Sequence, residues 1–424
     1  MSGASDQFSR NALQRLALTG TPEASHLRRS ALPMTIDFKD PVALAQALIR
    51  CPSVTPEEGG ALSLLENALK PAGFDCHRLV MRDTGTPDVD NLYARLGRKQ
   101  PNLCFAGHTD VVPVGDAAKW THPPFGAEIH DGVLYGRGAV DMKGAIAAFV
   151  AATLRLVERH GGELPGAISF LMTGDEEGPS INGTMKVLDW MRDKGEIMDA
   201  CIVGEPSNPK TLGEEIKIGR RGSLNAELVV AGKQGHAAYP ALAENPVPKL
   251  ARLLDRLSST PLDQGNADFE PSSLQVTVLN VPNTATNVIP NEARAKFNIR
   301  YNNLWTRPKA ETWVRELCAA AAAEVAARWE VSFSGTGDVF LTKPGPLVET
   351  LNGAVVEVTG RAPALTTHGG TSDARFIQAY CPVVEFGLTN ALAHHVDERV
   401  TVADLHALTA IYERFIARYF AVEV

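Results

Sequence analysis

Several short apolar segments of this sequence are each followed by histidines or carboxylates. The residues concerned are His108 and Asp110 after NLCFAG, Asp141 after GVLYGRGAV, Glu176 and Glu177 after GAISFLMTG, Glu205 after DACIVG, and His394 beyond CPVVEFG. Carboxylates gathered at one place repel one another unless cations lie between them. Zinc, cobalt and manganese accept such a mixed set of nitrogen and oxygen ligands. The pattern therefore predicts a divalent metal site.

The spacing of these residues suggests separate roles. His108 and Asp110 are two apart on an extended segment, so their side chains point the same way, and Asp110 can hold the second imidazole nitrogen of His108. Glu176 and Glu177 are adjacent and point in opposite directions. One of them fits a metal ligand and the other a general base on a metal-activated water. A solvated acidic turn is the alternative for this pair.

Other catalytic motifs find little support. The segment GRGAVD at 136–141 begins like a dinucleotide-binding loop, but Asp141 replaces its third glycine. A carboxylate there would repel a phosphate. The sequence contains neither GxSxG nor GxxxxGK[ST], so it does not favour a serine hydrolase or a nucleoside triphosphatase.

Composition narrows the class of protein. The chain has 424 residues, 41 basic and 49 acidic side chains, a net charge of −8 and 44% hydrophobic residues, which argues against disorder and nonspecific nucleic-acid binding. The apolar stretch at 145–154 ends at Arg155 and is too short to span a bilayer. Six cysteines without a CxxC pair predict buried thiols in a reducing compartment.

Helical and strand patterns alternate along most of the chain. Amphipathic helices are predicted for PVALAQALI, ALSLLENALKPAG, KGAIAAFVAATLRLVERH and TMKVLDWMRDKG. NLCFAG, GAISFLMTG, DACIVG and CPVVEFG have the length and composition of buried strands. This alternation predicts an α/β fold with a mostly parallel sheet covered on both faces. Functional groups of such sheets collect past the carboxyl ends of the strands.

The middle of the chain follows another order. Strands are predicted at 223–232, 272–281, 292–302 and WEVSFSG, and helices at 246–259 and 308–328. This βαββαβ order is ferredoxin-like and predicts an inserted domain at 222–336, with the α/β domain formed by 34–221 and 337–424. Residues 1–33 are expected to be a disordered extension, or to precede a working start at Met34; a targeting peptide is the less favoured alternative.

The motifs taken together resemble a known family. GHTDVVP, GRGAVDMKGA, GDEEG, GEPS, GRRGS, QGHAAYP, ENPV, TNVIP, GGTSDARF and HHVDE occur in that order, from about residue 34 to the end. They resemble the dizinc aminoacylase and carboxypeptidase family of metallopeptidases. The resemblance implies a zinc-hydrolase domain interrupted by a dimerisation domain at 222–336, and therefore a homodimer.

The resemblance also implies roles for individual residues. Asp141 would bridge two zinc ions, which cobalt or manganese can replace. His108 and Glu205 would complete one site, and Glu177 and His394 the other. Asp110 would orient His108, Glu176 would be the general base, and the Asp141–Met142 peptide is expected to be cis. His236 in QGHAAYP would reach across the dimer to stabilise the oxyanion, whereas His395 is not expected to be a ligand.

The implied substrate is N-succinyl-LL-2,6-diaminopimelate, cleaved in the cytoplasm to succinate and LL-2,6-diaminopimelate for lysine and cell-wall biosynthesis. Its carboxylates call for arginines, and the resemblance implies the contacts Arg220, Arg300, Tyr239, Asn287, Gly370, Thr371 and Ser372. Ala241 stands where relatives often carry histidine. The alternatives are another N-acyl amino acid deacylase, such as one acting on N-acetylornithine, and a metal-dependent binding protein without catalysis.

Overall fold

The computed structural model describes residues 36–424, which form one compact unit. The predicted extension at 1–33 lies outside the described residues. Within the described part of the chain, every helix is too short or too polar to cross a membrane. All six cysteines are free thiols, and four of them are buried as predicted, whereas Cys51 and Cys76 are partly exposed.

Helices and strands alternate through the described residues. The helices are α1 (Pro41–Ile49), α2 (Ala61–Leu69), α3 (Lys143–Arg159), α4 (Thr184–Lys194), α5 (Pro246–Ser259), α6 (Arg307–Val325), α7 (Pro346–Thr359), α8 (Ala374–Ile377) and α9 (Val402–Phe420). The first ten strands are β1 (Asp75–Met81), β2 (Val89–Leu96), β3 (Asn102–His108), β4 (Glu128–His130), β5 (Val133–Tyr135), β6 (Ala167–Thr173), β7 (Ala200–Val203), β8 (Glu215–Lys217), β9 (Gly219–Arg220) and β10 (Gly222–Ala231). The others are β11 (Gly235–His236), β12 (Ser273–Asn280), β13 (Val288–Ile289), β14 (Glu292–Tyr301), β15 (Arg328–Gly337), β16 (Phe340–Leu341), β17 (Ala364–Thr366), β18 (Val383–Glu385) and β19 (Arg399–Thr401).

The largest sheet has the strand order β1-β2-β6-β3-β7-β18-β8-β17. Its centre is parallel, since β6, β3, β7 and β18 pair in the same direction, while β1 and β2 add antiparallel strands at one side. Alternate residues of β3 enter different cores: Leu103 and Phe105 pack with α1, α3 and α9, whereas Cys104 and Ala106 pack with α4 and α8. The predicted α/β sheet with two covered faces is confirmed.

Helix α3 is more buried than its predicted amphipathic pattern suggested. Every residue from 143 to 154 is buried, because α1 and α9 pack against α3 in the same core as the sheet. Its residues there are mainly alanine, isoleucine, phenylalanine and valine, which suit burial on all sides. The helix therefore forms a fixed base for the residues just before it.

The middle of the chain forms a separate four-stranded antiparallel sheet. Its order β12-β14-β10-β15, with α5 and α6 packed on one side, is the ferredoxin-like arrangement expected from the βαββαβ pattern. Its own core runs from Leu224 to Val331. Since residues 36–424 form one compact unit, the domain boundaries at 222 and 336 and the dimerisation role stay predictions.

One predicted strand has a different place in the fold. GVLYGRGAV supplies β5, which is only three residues long and belongs to a small antiparallel sheet with β4 and β19. Asp141 therefore does not follow a strand of the large sheet, but lies in the turn before α3. The strand ends early because the chain turns at Gly136 and Gly138, which both have positive φ.

Candidate metal centre

Three neighbouring parallel strands bring most of the metal-site candidates together. His108 is the last residue of β3, and it pairs with Thr173 at the end of β6. Glu176 and Glu177 follow β6, and Glu205 follows β7, on the other side of β3. Because parallel strands end at the same edge, these side chains converge there.

Asp141 and His394 reach this edge from loops. The turn that carries Asp141 is held by Glu398, a completely buried carboxylate that accepts hydrogen bonds from the backbone N–H groups of Gly138 (3.0 Å), Val140 (2.9 Å) and Asp141 (3.1 Å). Glu398 lies four residues after His394 in the same loop. The Asp141–Met142 peptide is cis, as expected from the resemblance.

The donor atoms form two groups that share Asp141. His108 Nε2 lies 3.1 Å from Asp141 Oδ1 and 3.7 Å from Glu205 Oε1. His394 Nε2 lies 3.2 Å from Asp141 Oδ2 and 2.8 Å from Glu177 Oε1. Each group has one imidazole and two carboxylates with ligand atoms within 4.8 Å of one another. These residues could hold two ions with Asp141 between them.

The burial of these groups and their pKa shifts also favour bound cations. Glu205 Oε1 is buried and has no hydrogen-bond partner in residues 36–424, which is costly for a carboxylate oxygen unless a cation is present. Burial raises the pKa of Glu205 well above its usual value, helped by the neighbouring Asp141 and Glu176. Hydrogen bonds to Asp141 and Glu177 raise the pKa of His394 to about 10. Protons on these groups offset a negative charge that divalent ions would neutralise directly.

Asp110 contacts its neighbours differently from the sequence-based prediction. The atom nearest to His108 Nδ1 is the Asp110 backbone carbonyl at 2.9 Å, while the carboxylate Oδ1 is 3.7 Å away. The carboxylate instead accepts hydrogen bonds from the N–H groups of Glu176 (3.3 Å) and Glu177 (3.1 Å) and from Thr55 Oγ1 (2.7 Å). Asp110 thus orients His108 through its backbone and the two glutamates through its side chain.

Glu176 is suited to proton transfer. It lines the cavity beside the two donor groups that share Asp141 and belongs to neither of them, although its carboxylate also lies within 4.8 Å of donor atoms of His108 and Glu177. Burial raises the pKa of Glu176 to about 8, although His108 opposes the shift. A carboxyl group with a pKa near neutrality can both accept and return a proton.

A cavity of about 510 Å³ opens from the donor groups toward the four-stranded sheet. Arg220, Gly370 and Thr371 line it, as the resemblance implied. Arg220 is buried and paired with Glu385, its Nε lying 2.8 Å from Glu385 Oε2. Ser372 does not line the cavity and donates to the same Glu385.

Other implied substrate contacts lie elsewhere. His236 and Asn287 are exposed on the paired segments around β11 and β13, where the Ala237 N–H donates to the Asn287 carbonyl (2.9 Å). Tyr239 is 63% exposed next to them. None of the three lines the cavity of the described chain, and Arg300 is half-buried close to it without lining it. The structure brings His236, Tyr239 and Asn287 together, but apart from the donor groups.

Sequence reasoning missed several residues of the site. Glu398 is the last residue of the motif HHVDE and could have been found there, but its spacing gives no sign that it holds the turn before α3. Lys217, His368 and Asn390 line the cavity without a distinct motif position, and Arg375 lies in the motif GGTSDARF without having been singled out. Their importance depends on packing between distant segments.

The fold and the two donor groups define a metallohydrolase, and the sequence match gives its family. Residues 104–418 match the model of peptidase family M20/M25/M40, and the chain belongs to this family. It is 57% identical over 382 residues to a succinyl-diaminopimelate desuccinylase of Rhodospirillum centenum, covering 90% of this chain and 98% of that protein. A desuccinylase of Methylorubrum populi is 56% identical, with 90% and 99% covered.

Solved structures share the fold at low sequence identity. A metallo-carboxypeptidase of this family from Sulfolobus solfataricus superposes with a TM-score of 0.73 at 20% identity, covering 90% of this chain and 100% of the other. A dinuclear metal-binding peptidase from Bacillus subtilis gives a TM-score of 0.67 at 16% identity, covering 91% and 99%. At such identities the likeness establishes the fold.

Proposed function

We propose that this protein hydrolyses N-succinyl-LL-2,6-diaminopimelate to succinate and LL-2,6-diaminopimelate. The observation that carries the proposal is the 56–57% identity to succinyl-diaminopimelate desuccinylases over nearly their whole length. The family match over residues 104–418 spans both the donor groups and the cavity. The reducing compartment suggested by six free thiols is consistent with biosynthesis in the cytoplasm.

We further propose two zinc ions, which cobalt or manganese can replace. His108, Asp141 and Glu205 would hold one ion, and Asp141, Glu177 and His394 the other. The partnerless buried oxygen of Glu205 and the mixed nitrogen and oxygen donors support this assignment. When bound, the pair of ions supplies an acidified water and polarises the amide carbonyl.

Glu176 moves the proton in the proposed mechanism. Its carboxylate accepts a proton from water as the water oxygen attacks the succinyl carbonyl carbon. It then donates that proton to the amine nitrogen as the C–N bond breaks, so that succinate and the free amine are formed. The Asp110 carboxylate accepts a hydrogen bond from the backbone N–H of Glu176, and this contact keeps the Glu176 carboxylate beside the donor groups.

Arginines would bind the carboxylates of the substrate. Arg375 lines the cavity, and its buried Nε has no partner among the described residues; the same is true of Nη1 of Arg300 close by. Unpartnered buried guanidinium donors are costly, and an anionic ligand would satisfy them. Since Arg220 already has Glu385 as its counter-ion, it would orient the site as well as contact the substrate.

Tyr239, Asn287 and His236 would act in a homodimer. They lie on the exposed segments around the β11–β13 pair, which is separate from the four-stranded sheet, and do not line the cavity of their own chain. We propose that His236 of a second copy reaches this cavity and donates a hydrogen bond to the developing oxyanion.

Comparing two substrates tests the function. We expect the zinc-loaded protein to cleave N-succinyl-LL-2,6-diaminopimelate with a kcat/KM at least about 100-fold higher than that for N-acetylornithine, because the acetyl group lacks the free succinyl carboxylate that the arginines would bind. A preference for N-acetylornithine would assign the protein to the alternative deacylase class. Metal binding without cleavage of either substrate would favour a binding protein.

A further inference from the structure

A second group of possible metal ligands lies outside the catalytic cavity. His122, Glu128 and His130 each offer one donor atom, and these atoms lie within 4.8 Å of one another. His122 Nδ1 is 3.0 Å from Glu128 Oε2, and His130 Nε2 is 3.2 Å from the same oxygen. Among the described residues that line the cavity, none belongs to this trio.

The local fold presents the three side chains together. Glu128 and His130 are two apart on β4, so they point to the same side of the strand. The tight turn from β4 to β5 contains Asp131 and Gly132, both with positive φ, which is the type I′ geometry that rigidly joins antiparallel strands. The β4–β5 hairpin therefore holds two of the donors in fixed positions.

Aromatic packing positions the third donor. The imidazole of His122 stacks on that of His130 with centroids 4.1 Å apart, and it packs at 4.2 Å on the ring of Tyr135 from β5. The side chain of His122 is only 20% exposed, whereas those of Glu128 and His130 are 43% and 51% exposed. An ion could thus reach the trio from solvent, while His122 stays anchored.

The spacing of the donors suits a small divalent ion. Zinc ligands at about 2.0–2.1 Å in a tetrahedron are separated from one another by about 3.3 Å. The two nitrogen-to-oxygen separations, 3.0 and 3.2 Å, are close to this edge length. Two imidazoles and one carboxylate also form the ligand set of many open zinc sites, with water as the fourth ligand.

We propose that His122, Glu128 and His130 form a peripheral zinc site, distinct from the catalytic metal centre. The site would join the segment before β4 to the β4–β5 hairpin. That segment also contacts the loop of His394, since the Thr121 N–H donates to Asp397 Oδ1 (2.7 Å). Zinc bound there would connect the hairpin with the segment that contacts the catalytic loop.

Counting bound ions tests this site. Zn²⁺ is titrated into the zinc-loaded protein and binding is followed by calorimetry, with His130→Ala and His122→Ala as variants and His406→Ala, an exposed histidine of α9, as the matched control. Mutation of a residue that only hydrogen-bonds to a metal ligand already lowers metal affinity by about 10- to 100-fold. Removal of a ligand itself should therefore weaken the additional binding by at least about 100-fold. The control should bind as the unchanged protein does.

A spectroscopic measurement separates the peripheral site from the catalytic one. Cu²⁺ added to the zinc-loaded protein should give an electron paramagnetic resonance signal with coupling to two nitrogens, and this signal should persist in His394→Ala and disappear in His130→Ala. The proposal would be overturned if the signal disappeared in His394→Ala but not in His130→Ala. It would also be overturned if the additional Zn²⁺ binding were unchanged in His122→Ala and His130→Ala. Neither readout depends on the substrate, so the proposed hydrolase activity can fail independently.

Discussion

At the level of single residues, the carboxylates of the site divide into two kinds. Asp141, Glu177 and Glu205 face histidine nitrogens and could hold cations. Asp110 and Glu398 accept hydrogen bonds from backbone N–H groups and so position the segments that carry the first kind. A carboxylate of this site therefore either supplies negative charge for a cation or holds a backbone segment in place, and its neighbours determine which.

Glu176→Gln tests the proposed proton transfer. Glutamine has nearly the same shape but cannot accept a proton, so we expect kcat for desuccinylation to fall by about 100- to 10,000-fold. The zinc content, measured by mass spectrometry of the metal, should not change, because each proposed ion would keep all three residues of its group around Asp141.

Glu57→Gln is the matched control for that substitution, since Glu57 is an exposed glutamate outside the cavity. Its activity should equal that of the unchanged protein. Retention of more than about a tenth of the activity in Glu176→Gln would remove Glu176 from the role of general base.

At the level of elements, the start of α3 determines where Asp141 lies. Gly144 is in the first turn of α3, where an added Cβ would overlap the Ala139 carbonyl oxygen and lie 2.7 Å from Leu388 Cδ1. Helix α3 can approach the Asp141 turn this closely only without a side chain. We therefore expect close packing, rather than helix propensity, to require glycine here.

Gly144→Ala should lower the free energy of unfolding by about 1–3 kcal/mol through overpacking, although alanine favours helices. Zinc affinity should fall as well, because the Asp141 turn must shift. Urea unfolding and zinc titration measure the two effects.

Gly353→Ala in α7 is the control, since the added Cβ meets only the flexible end of Arg418. It should leave the stability unchanged or raise it by up to about 1 kcal/mol. Equal destabilisation by both substitutions would contradict the packing argument.

Another link between elements makes stability depend on pH. Glu196, after α4, accepts hydrogen bonds from Tyr93 (3.0 Å) and Arg95 of β2 and from Arg98 (3.1 Å). Burial alone would raise the pKa of Glu196, but the bonds from Arg95 and Tyr93 outweigh it and hold the pKa below its ordinary value of 4.5. A depressed pKa stabilises the fold above 4.5, and this stability is lost as the pH falls through the lower, folded-state value.

Glu196→Gln should therefore lower the free energy of unfolding at pH 7 by about 1.5 kcal/mol. The difference from the unchanged protein should shrink as the pH falls below the ordinary value of 4.5. Urea unfolding between pH 7 and pH 3 measures it, with the exposed Glu163→Gln as control. A difference that stays constant with pH would refute the assignment to ionisation.

At the level of the whole molecule, the inserted sheet has an exposed apolar edge. Strand β12 pairs only with β14 in the described sheet, and its Val278 and Leu279 are 43% and 68% exposed. An edge strand with such side chains is a ready surface for association with a second copy. This edge supports the proposed dimer.

Leu279→Arg should convert the dimer to monomers in sedimentation experiments, because a charge would be buried in the contact. Activity should fall with it, since His236 could no longer reach the cavity of a second copy. Val80→Arg, on the exposed edge strand β1 of the large sheet, should remain dimeric. An unchanged protein that is monomeric and fully active would refute the dimer mechanism.

Local patterns in the sequence were sufficient to predict the α/β class, the ferredoxin-like order and the strands that carry His108, Glu176, Glu177 and Glu205. Hydrophobic periodicity is a local property, and parallel strands necessarily end at one edge. The same pattern included Asp141 and His394 among the candidates, and the resemblance to a known family divided the ligands between two ions that share Asp141. Its assignments of ligands and roles stay predictions.

Tertiary structure alone decided how the loops meet at this edge. The support of the Asp141 turn by Glu398, the contact of Asp110 with the backbone of the two glutamates, and the trio of His122, Glu128 and His130 join groups that only folding brings within hydrogen-bond distance. Such contacts depend on the three-dimensional path of the loops, which sequence spacing does not specify. The sequence by itself therefore determined which chemical groups gather at the edge of the sheet, and the fold decided which of them face each other and which hold the backbone.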